Sequence, residues 1–460
     1  MIAMTPQEWL NVLASRLDKR QPEIAVKRSY VNGEAPLPES GENVRAAWAA
    51  YQRKARTNYG GLATKSLCNR IRAVSVTVGS DDDIEATTAA RRIFRDNRLA
   101  VQFSDAVIDS AVTGIGYLLL GMDADGAVIT AEKPELFIAA PDPLRPWVAR
   151  AAAKVWRDAD AAQDYALVWA NGQRQEFSRS AYVIDTTTVI RSAAGGWLPT
   201  GRAESYQGNP PVAILDWEDP AGFVYPHHDV IDRINLGKLQ RLVIAAMQAF
   251  RQRALKKNNL PAGWDKDEDG NDIDLAKVFE PSPGALWDLP EGIDIWESST
   301  TDIMPLLEGE KADARDFAAV SGTPISVFIP DGANQSAEGA HNAKDQQISQ
   351  AQDAIDRFKP AAAGIMVRAL AAEGFDLGGV TVDVQFAKPE HVSMSEKYAA
   401  AAQAKQAGES IKTIQRKILG YTPEEMTQAE QDLADEQLSA ALAVQAATPT
   451  DAPASENVNA

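Results

Sequence analysis

The sequence predicts an α+β protein, and three observations lead to that prediction. The first part of the chain combines amphipathic helical patterns with an alternating strand pattern, AVSVTVG at residues 73–79. Residues from Val128 to about Leu215 show short strand patterns separated by turn signals. From Pro226 onward, long helical patterns dominate the chain. A length of 460 residues is too great for one ordinary core, so we expect two or three structural modules.

The N-terminal part is predicted to contain helices around a turn-rich stretch. In that stretch, YVNGEAPLP, Gly33 and two prolines prevent regular structure. Cys68 is the only cysteine, which excludes an internal disulfide, and we expect a small buried side chain on a helix. The helical patterns cover Thr5–Asp18, Glu42–Arg56, Gly61–Ala73 and Ala86–Asn97.

The segment FSDAVIDSAVTGIGYLLLGMDADG at residues 103–126 predicts a helix, a glycine stop, a strand and a hairpin turn. Gly114 and Gly116 have the spacing of a dinucleotide-binding fingerprint, but Leu119 stands where the third glycine belongs. A phosphate-binding turn also needs a strand before the glycines and a helix after them, which is the reverse of the order here. The pattern therefore predicts a helix C-cap.

The chain after Pro226 begins with a basic helical segment. His227–Lys257 carries seven Lys or Arg against two Asp, and Asn258–Thr300 then carries eleven acidic residues against two lysines. The remaining predicted elements are a helix at Pro305–Val320, a proline-bounded loop, a long helix at Ser336–Ala372, the strand VTVDVQF, alanine-rich helices over Ser393–Ala447 and a disordered tail.

The basic segment is predicted to form one helix from His227 to Asn259 with two faces. Arg233, Gln240, Arg241, Gln248, Arg251 and Gln252 share one side at 100° per residue. Leu236, Leu239, Val243, Ala246, Phe250 and Ala254 lie on the opposite side. A second helix returns after the acidic segment, and such a pair suits a stalk better than a globular core.

The acidic segment contains DKDEDGNDID, which has the spacing of the first half of an EF-hand. Asp265, Asp267, Asp269 and Gly270 match that loop, but position twelve is Ala276 where a bidentate Glu belongs. Asp-Gly is also a common hairpin signal, which explains the glycine without a metal. We therefore predict a solvated turn and no metal site.

Charge and motifs exclude several classes of function. A net charge of −18 argues against tight nucleic-acid binding, although DNA can still pass such a surface. The chain contains no Walker A lysine loop, no G-x-S-x-G and no zinc-type histidine spacing, so we predict neither catalysis nor a cofactor. No apolar run is long enough to span a bilayer, and the start lacks a signal-peptide pattern, which predicts a protein made in the cytoplasm.

Five segments together resemble the bacteriophage portal proteins, in particular the group found in tailed phages of actinobacteria. They are YVNGEAPLP, DSAVTGIGYLLLG, DEDGNDIDLAKVFEPSPGALWDLPEGIDIWE, TDIMPLLEGEKADARDFAAVSGTPISVFIPDGANQSAEGA and IKTIQRKILGYTPEEM. They cover Tyr30 to Met426 in the family's order of elements. Family members tend to have a second aromatic residue where Val31 stands here and a histidine where Ala35 stands.

The resemblance implies a portal fold with a mixed α/β wing, a helical stem, a small α/β clip and a helical crown. The implied regions are the wing at 1–225 and 336–392, stem helices at 226–257 and 301–320, the clip at 258–300, the tunnel loop at 321–335, the crown at 393–447 and a tail at 448–460. Such subunits form a ring, typically a dodecamer, at one capsid vertex of the virion. Assembly takes place in the host cytoplasm.

The resemblance also implies site residues and partners. The residues are Arg233, Arg241, Gln248 and Arg251 on the stem, Phe328, Ile329, Asp331, Asn334 and Gln335 in the tunnel loop, and Trp264, Asp265, Asp267, Asp269, Trp287 and Trp296 on the clip. The partners would be double-stranded DNA without sequence specificity, the terminase large subunit, the head-tail adaptor, and the major capsid and scaffold proteins. The tryptophans could equally form the clip's own core or its subunit contacts.

Two alternatives from other classes stay open at this point. One is a calcium-binding regulatory protein that uses the acidic loop at residues 265–276. The other is an enzyme with an unrecognised site in the β-rich part of the first domain.

Overall fold

The computed structural model describes most of the chain and confirms the α+β class. The described residues are 4–37, 46–79, 84–181, 190, 192–249, 253–257, 266, 293–297, 301–329, 337–390, 394–421 and 423–447. The chain divides into two compact units. Unit 1 comprises Met1–Ile24, Lys65–Gly222 and Asp345–Ala460, and unit 2 comprises Ala25–Thr64 and Phe223–Lys344.

The helices follow the predicted order with some different ends. They are α1 (Pro6–Asn32), α2 (Ala46–Ala55), α3 (Tyr59–Cys68), α4 (Ile84–Asp96), α5 (Leu99–Thr113), α6 (His228–Ala249), α7 (Met304–Ser321), α8 (Ala337–Ala372), α9 (Met394–Gln406), α10 (Ile411–Ile414) and α11 (Pro423–Ala447). A π-helical turn, Gln415–Leu419, continues α10. The predicted helices at Pro305–Val320 and Ser336–Ala372 are thereby confirmed as α7 and α8.

The strands form small antiparallel sheets. They are β1 (Ala73–Val78), β2 (Ile115–Asp123), β3 (Gly126–Glu132), β4 (Phe137–Pro141), β5 (Ala149–Asp158), β6 (Gln163–Ala170), β7 (Gln173–Ser180), β8 (Leu198–Ser205), β9 (Val212–Asp216), β10 (Arg253–Lys257), β11 (Ile293–Glu297) and β12 (Val382–Phe386). In unit 1 the sheet orders are β1-β12, β3-β2-β9 and β4-β5-β6-β7-β8, and in unit 2 β10 pairs with β11. The β-rich character predicted for residues 128–215 is confirmed.

The core of unit 1 lies on the two faces of the five-stranded sheet. On one face, α1 packs its residues Trp9, Leu10, Leu13 and Leu17 against alternate residues of β5 and β6. On the other face, Tyr117 and Phe137 pack with Trp169 and Ile214. Inward and outward residues alternate along each strand because successive side chains point to opposite faces.

The glycine turn after α5 is the predicted helix C-cap. Gly114 has a φ of 90°, and its N–H donates to the Ser110 carbonyl at 2.8 Å. A Cβ at Gly114 would lie 2.0 Å from the Pro220 carbonyl oxygen, and one at Gly116 would lie 2.1 Å from the Ala106 carbonyl oxygen. Both glycines therefore allow close backbone packing. Gly114 directly follows α5, and Gly116 is the second residue of β2.

A buried ion-pair triad crosses the five-stranded sheet. The register places Arg157 of β5 and Arg179 of β7 opposite Asp164 of β6. Arg157 Nε donates to Asp164 Oδ1 at 2.7 Å, and Arg179 Nη2 donates to Oδ2 at 3.1 Å. The hydrogen bond from Arg157 to this carboxylate raises the pKa of the guanidinium. The pairing neutralises a carboxylate that has no exposed surface.

Two predicted helix ends are wrong. Helix α1 does not stop at Asp18 but continues to Asn32, because Ile24, Lys27 and Tyr30 prolong its buried face at helical spacing. Helix α6 ends at Ala249, and Arg253–Lys257 forms a strand instead of the end of the predicted stem helix. Strand β10 pairs in full register with β11, whose residues lie about forty positions further on. Helical periodicity cannot reveal such a distant hydrogen-bonding partner.

Candidate functional site

The candidate site is the helix pair α6–α7 of unit 2, the part predicted to form a stem. Ile231, Ile234 and Leu239 form the buried stripe of α6. Ala314, Phe317, Ala318 and Ser321 form the corresponding stripe of α7. With the buried Asn235 included in the α6 stripe, both stripes recur every three or four residues, as a helix needs when it packs along its length. Leu236 was predicted on the apolar face, but it is 41% exposed.

Ion pairs join the basic side of α6 to the acidic side of α7. Arg233 Nε lies 2.8 Å from Asp313 Oδ1, and Arg233 Nη2 lies 2.7 Å from Asp316 Oδ2. Further along α6, two more cations share one carboxylate of α7. Lys238 Nζ donates to Glu310 Oε2 at 3.4 Å, and Arg241 Nε donates to Glu310 Oε1 at 2.6 Å. We name these six residues the stem ladder. The predicted polar side of α6 therefore carries carboxylate partners from its own chain.

Glu310 is the centre of the stem ladder. Its side chain is only 10% exposed and accepts from two cations, whereas Asp316 is 62% exposed. The ring of Tyr59 lies beside this group, with Lys238 Nζ 6.0 Å from its centroid. Burial and then the charge of Glu310 raise the pKa of the Tyr59 hydroxyl. Partly buried, charge-assisted hydrogen bonds of this kind contribute more than exposed ion pairs.

Polar contacts anchor the start of α6 within unit 2. The fully buried Asn235 accepts hydrogen bonds from the Thr57 N–H at 2.9 Å and the Thr57 hydroxyl at 3.0 Å. Tyr30 donates its hydroxyl to Asp232 Oδ2 at 2.7 Å. Burial and this hydrogen bond raise the pKa of Tyr30. The first turns of α6 are thus fixed in position relative to the connection between α2 and α3 and to the end of α1.

The first part of the predicted tunnel loop folds back on this helix pair. A 3₁₀ turn, Ile325–Val327, follows α7 and places Phe328 in the core of unit 2. The Phe328 ring centroid lies 5.1 Å from that of Tyr59 and 5.4 Å from that of Phe317. Ile329 is half-buried, while Asp331, Asn334 and Gln335 lie outside the described residues. Phe328 therefore anchors the beginning of the loop.

The other predicted site residues are distributed as follows. Gln248 donates to the Thr301 carbonyl at 2.6 Å, which ties the end of α6 to the start of the returning segment. Trp296 lies on β11, where it is paired in register with Ala254. Arg251, Trp264, Asp265, Asp267, Asp269 and Trp287 lie outside the described residues.

Sequence reasoning missed the acidic partners of the stem ladder. Glu310, Asp313 and Asp316 recur every three residues along α7, so they form an acidic stripe. That stripe faces the basic stripe of α6, and two complementary stripes on consecutive antiparallel helices are the signal that would have found the contact.

Two further findings on the described residues concern metal-binding groups and membrane-spanning helices. Within those ranges, no group of three or more His, Cys, Asp or Glu is placed to hold a metal ion. Among the helices described, none is long and apolar enough to cross a bilayer.

No protein-family model and no curated protein matches the chain. Solved structures similar to it include chains of gene transfer agent (GTA) particles. A chain from the neck of the native GTA particle, computed with C12 symmetry, is 14% identical, with a TM-score of 0.47 over 87% of this chain and 99% of that chain. A chain from the virion of the native GTA particle is 14% identical, with a TM-score of 0.47 over 88% and 99%. One from the neck of the empty GTA particle, computed with C6 symmetry, is 14% identical, with a TM-score of 0.44 over 84% and 96%.

The stem ladder leads to a prediction about Glu310. Replacing Glu310 with glutamine should lower the free energy of unfolding by about 1.5–3 kcal/mol, because two cations lose a nearly buried charged partner. Glu308→Gln is the matched control, since Glu308 is 58% exposed and pairs with Lys311 on its own helix. Its expected effect is at most about 0.5 kcal/mol. Urea unfolding followed by hydrogen exchange in α6 and α7 measures both. Equal effects of the two substitutions would contradict the central role of Glu310.

Proposed function

We propose that this chain is a phage portal subunit that forms a ring, of twelve copies in the typical case, at one capsid vertex. The ring is the conduit for genome packaging and ejection, and it is the docking site for the terminase large subunit and the head-tail adaptor. The major capsid and scaffold proteins surround it during assembly. The chain itself has no catalytic role in this proposal, since packaging ATP is hydrolysed by the terminase.

The observation that carries the proposal is the order helix, strand, acidic insertion, strand, helix in unit 2. Helix α6 leads into β10, and β11 leads into α7, so the paired strands bring the two ends of the insertion together. The stem ladder holds the two helices side by side. This order supports the stem-and-clip arrangement that the sequence resemblance implies, in which residues 258–300 form the clip.

The stem ladder also suits a conduit that must not grip DNA. Each cation that neutralises a phosphate strengthens a sequence-blind hold on the duplex. Arg233 and Arg241 remain our proposed channel residues, together with Gln248 and Arg251. Because the first two already have carboxylate partners, they would guide a passing duplex weakly and without reading its bases. The sequence resemblance is the basis for two further proposed roles, which are that of residues 321–335 as the tunnel loop and that of Trp264, Trp287, Trp296 and the clip aspartates as a docking surface.

Electron microscopy of the purified protein tests the proposal. In negative stain, we expect closed rings with a central hole. Head-to-tail contacts between identical subunits form a closed ring when the rotation from one subunit to the next divides a full turn evenly. Native mass spectrometry of the same sample gives the subunit number. A monomer that stays unassembled at high concentration, with and without DNA and scaffold protein, would contradict the proposed ring.

A further inference from the structure

A cavity of about 770 Å³ in unit 1 is rich in cationic side chains. It lies between Lys359 of α8, strand β12, helix α9 and the π-helical turn. The cations are Lys359, Lys388, Lys397, Arg416 and Lys417, and three carboxylates, Asp383, Glu390 and Glu425, also line it. A local excess of two positive charges contrasts with the net charge of −18 on the whole chain.

Four of the five cations keep their charge available for a ligand. Lys359 is neutralised by Asp383 at 2.8 Å. Lys388 Nζ donates to the Lys417 carbonyl, and Lys397 Nζ donates to the Leu419 carbonyl at 3.3 Å. A carbonyl oxygen bears no formal charge, so these bonds hold the ammonium groups without neutralising them. In the part of the chain that the structure describes, no carboxylate pairs with Lys388, Lys397, Arg416 or Lys417.

The π-helical turn gives the cavity a fixed wall. The turn ends at Gly420, which has a φ of 77° and donates its N–H to the Gln415 carbonyl. Two lysines satisfy carbonyl groups that the end of a helix leaves without partners. Single π-helical turns are found frequently at functional sites. Arg416 and Lys417 are exposed on this turn, so a ligand can reach both of them.

We infer that this cavity binds phosphate groups. Clustered ammonium and guanidinium groups from several elements are the typical recognition chemistry for phosphate, and Phe386 and Tyr421 add aromatic surface beside them. The phosphate can belong to a nucleic-acid backbone or to a free phosphate compound. If the phosphate belongs to a nucleic-acid backbone, the inference extends the proposed function. Phosphate binding itself does not depend on the proposed function.

The experiment compares two double variants with the same change of charge. R416Q/K417Q removes the two cavity cations that lie on the π-helical turn and leaves Lys388 and Lys397 to hold that turn. K405Q/K412Q is the control, because Lys405 and Lys412 are exposed on α9 and α10 and do not line the cavity. The probes are a fluorescein-labelled duplex of about 20 base pairs, followed by anisotropy between 50 and 200 mM salt, and inorganic pyrophosphate, followed by calorimetry.

We expect R416Q/K417Q to weaken duplex binding about tenfold at low salt and to reduce the slope of log K against log salt by roughly 2, while the control stays near wild type. Loss of pyrophosphate binding alone would identify a free phosphate compound as the source. Wild-type affinity of R416Q/K417Q for both probes would overturn the inference, and so would equal weakening in the control. These results are separate from the ring test, since a monomer can still bind phosphate and a ring can still lack this site.

Discussion

Replacing Asp164 with alanine is expected to lower the free energy of unfolding of unit 1 by about 3–5 kcal/mol. Asp164 has no exposed surface and binds Arg157 and Arg179 from the two neighbouring strands. The side chain of Arg179 is only 6% exposed, and its guanidinium carbon lies 4.2 Å from the centroid of the Trp197 ring. Alanine would therefore leave a buried positive charge without its counterion, which costs more than the lost hydrogen bonds alone.

The matched control for Asp164 is Asp160→Ala. Asp160 is exposed in the turn between β5 and β6, four residues before Asp164, and its substitution should change stability by less than about 0.5 kcal/mol. Urea unfolding, combined with hydrogen exchange of peptides from β5, β6 and β7, localises the effect. If both variants unfold at the same urea concentration as wild type, the triad does not stabilise the sheet.

Local signals predicted a large part of the fold. The end of α5 at Gly114, the strand at Ala73–Val78 and the helix at Met304–Ser321 each follow from patterns within a few residues. The end of α6 was missed because β10 depends on a partner strand forty residues away. The continuation of α1 past Asp18 was missed because Pro22, which usually interrupts helices, lies inside it.

The same distinction applies to the candidate site. The basic side of α6 was visible from helical periodicity, since Arg233 and Arg241 lie on one face. The carboxylates that meet this face come from α7, and Phe328 is buried against Phe317 and Tyr59. Both are tertiary contacts, which helical periodicity does not report. A pattern shows which residues share a side of a helix. It does not show what packs against that side.

The proposals for the stem ladder and for the cavity rest on different partners of the cationic side chains. In unit 2, carboxylates of α7 balance the arginines of α6, so this surface would attract a duplex weakly. In unit 1, backbone carbonyls hold Lys388 and Lys397 and leave their charge available. The two proposals therefore depend on which group accepts the hydrogen bond of each cation. A carboxylate cancels the positive charge and suits a surface along which a duplex slides, whereas a carbonyl leaves the charge in place and suits a surface that binds phosphate.

Replacing Phe328 with alanine is expected to destabilise unit 2 by about 3 kcal/mol or more. Phe328 is 8% exposed and packs between Phe317 and Tyr59, so alanine would leave a cavity beside the stem ladder. Val320→Ala is the control, since Val320 on α7 is 49% exposed. Urea unfolding with hydrogen exchange in α7 measures the difference. Unchanged exchange in Phe328→Ala would contradict the anchoring role.

The burial of Phe328 changes how the proposed tunnel loop must be tested. A packing defect in Phe328→Ala would disturb the α6–α7 helix pair, so loss of DNA packaging in that variant would not identify a role of the loop. Phe328→Leu keeps most of the buried volume and should assemble into rings with a smaller loss of stability. A second, separate variant lacks residues 329–334 and keeps Phe328, the aromatic anchor, in place. If rings of the deletion variant retain DNA poorly and rings of Phe328→Leu retain it normally, the loop has a role in DNA retention. Normal retention in both variants would exclude that role.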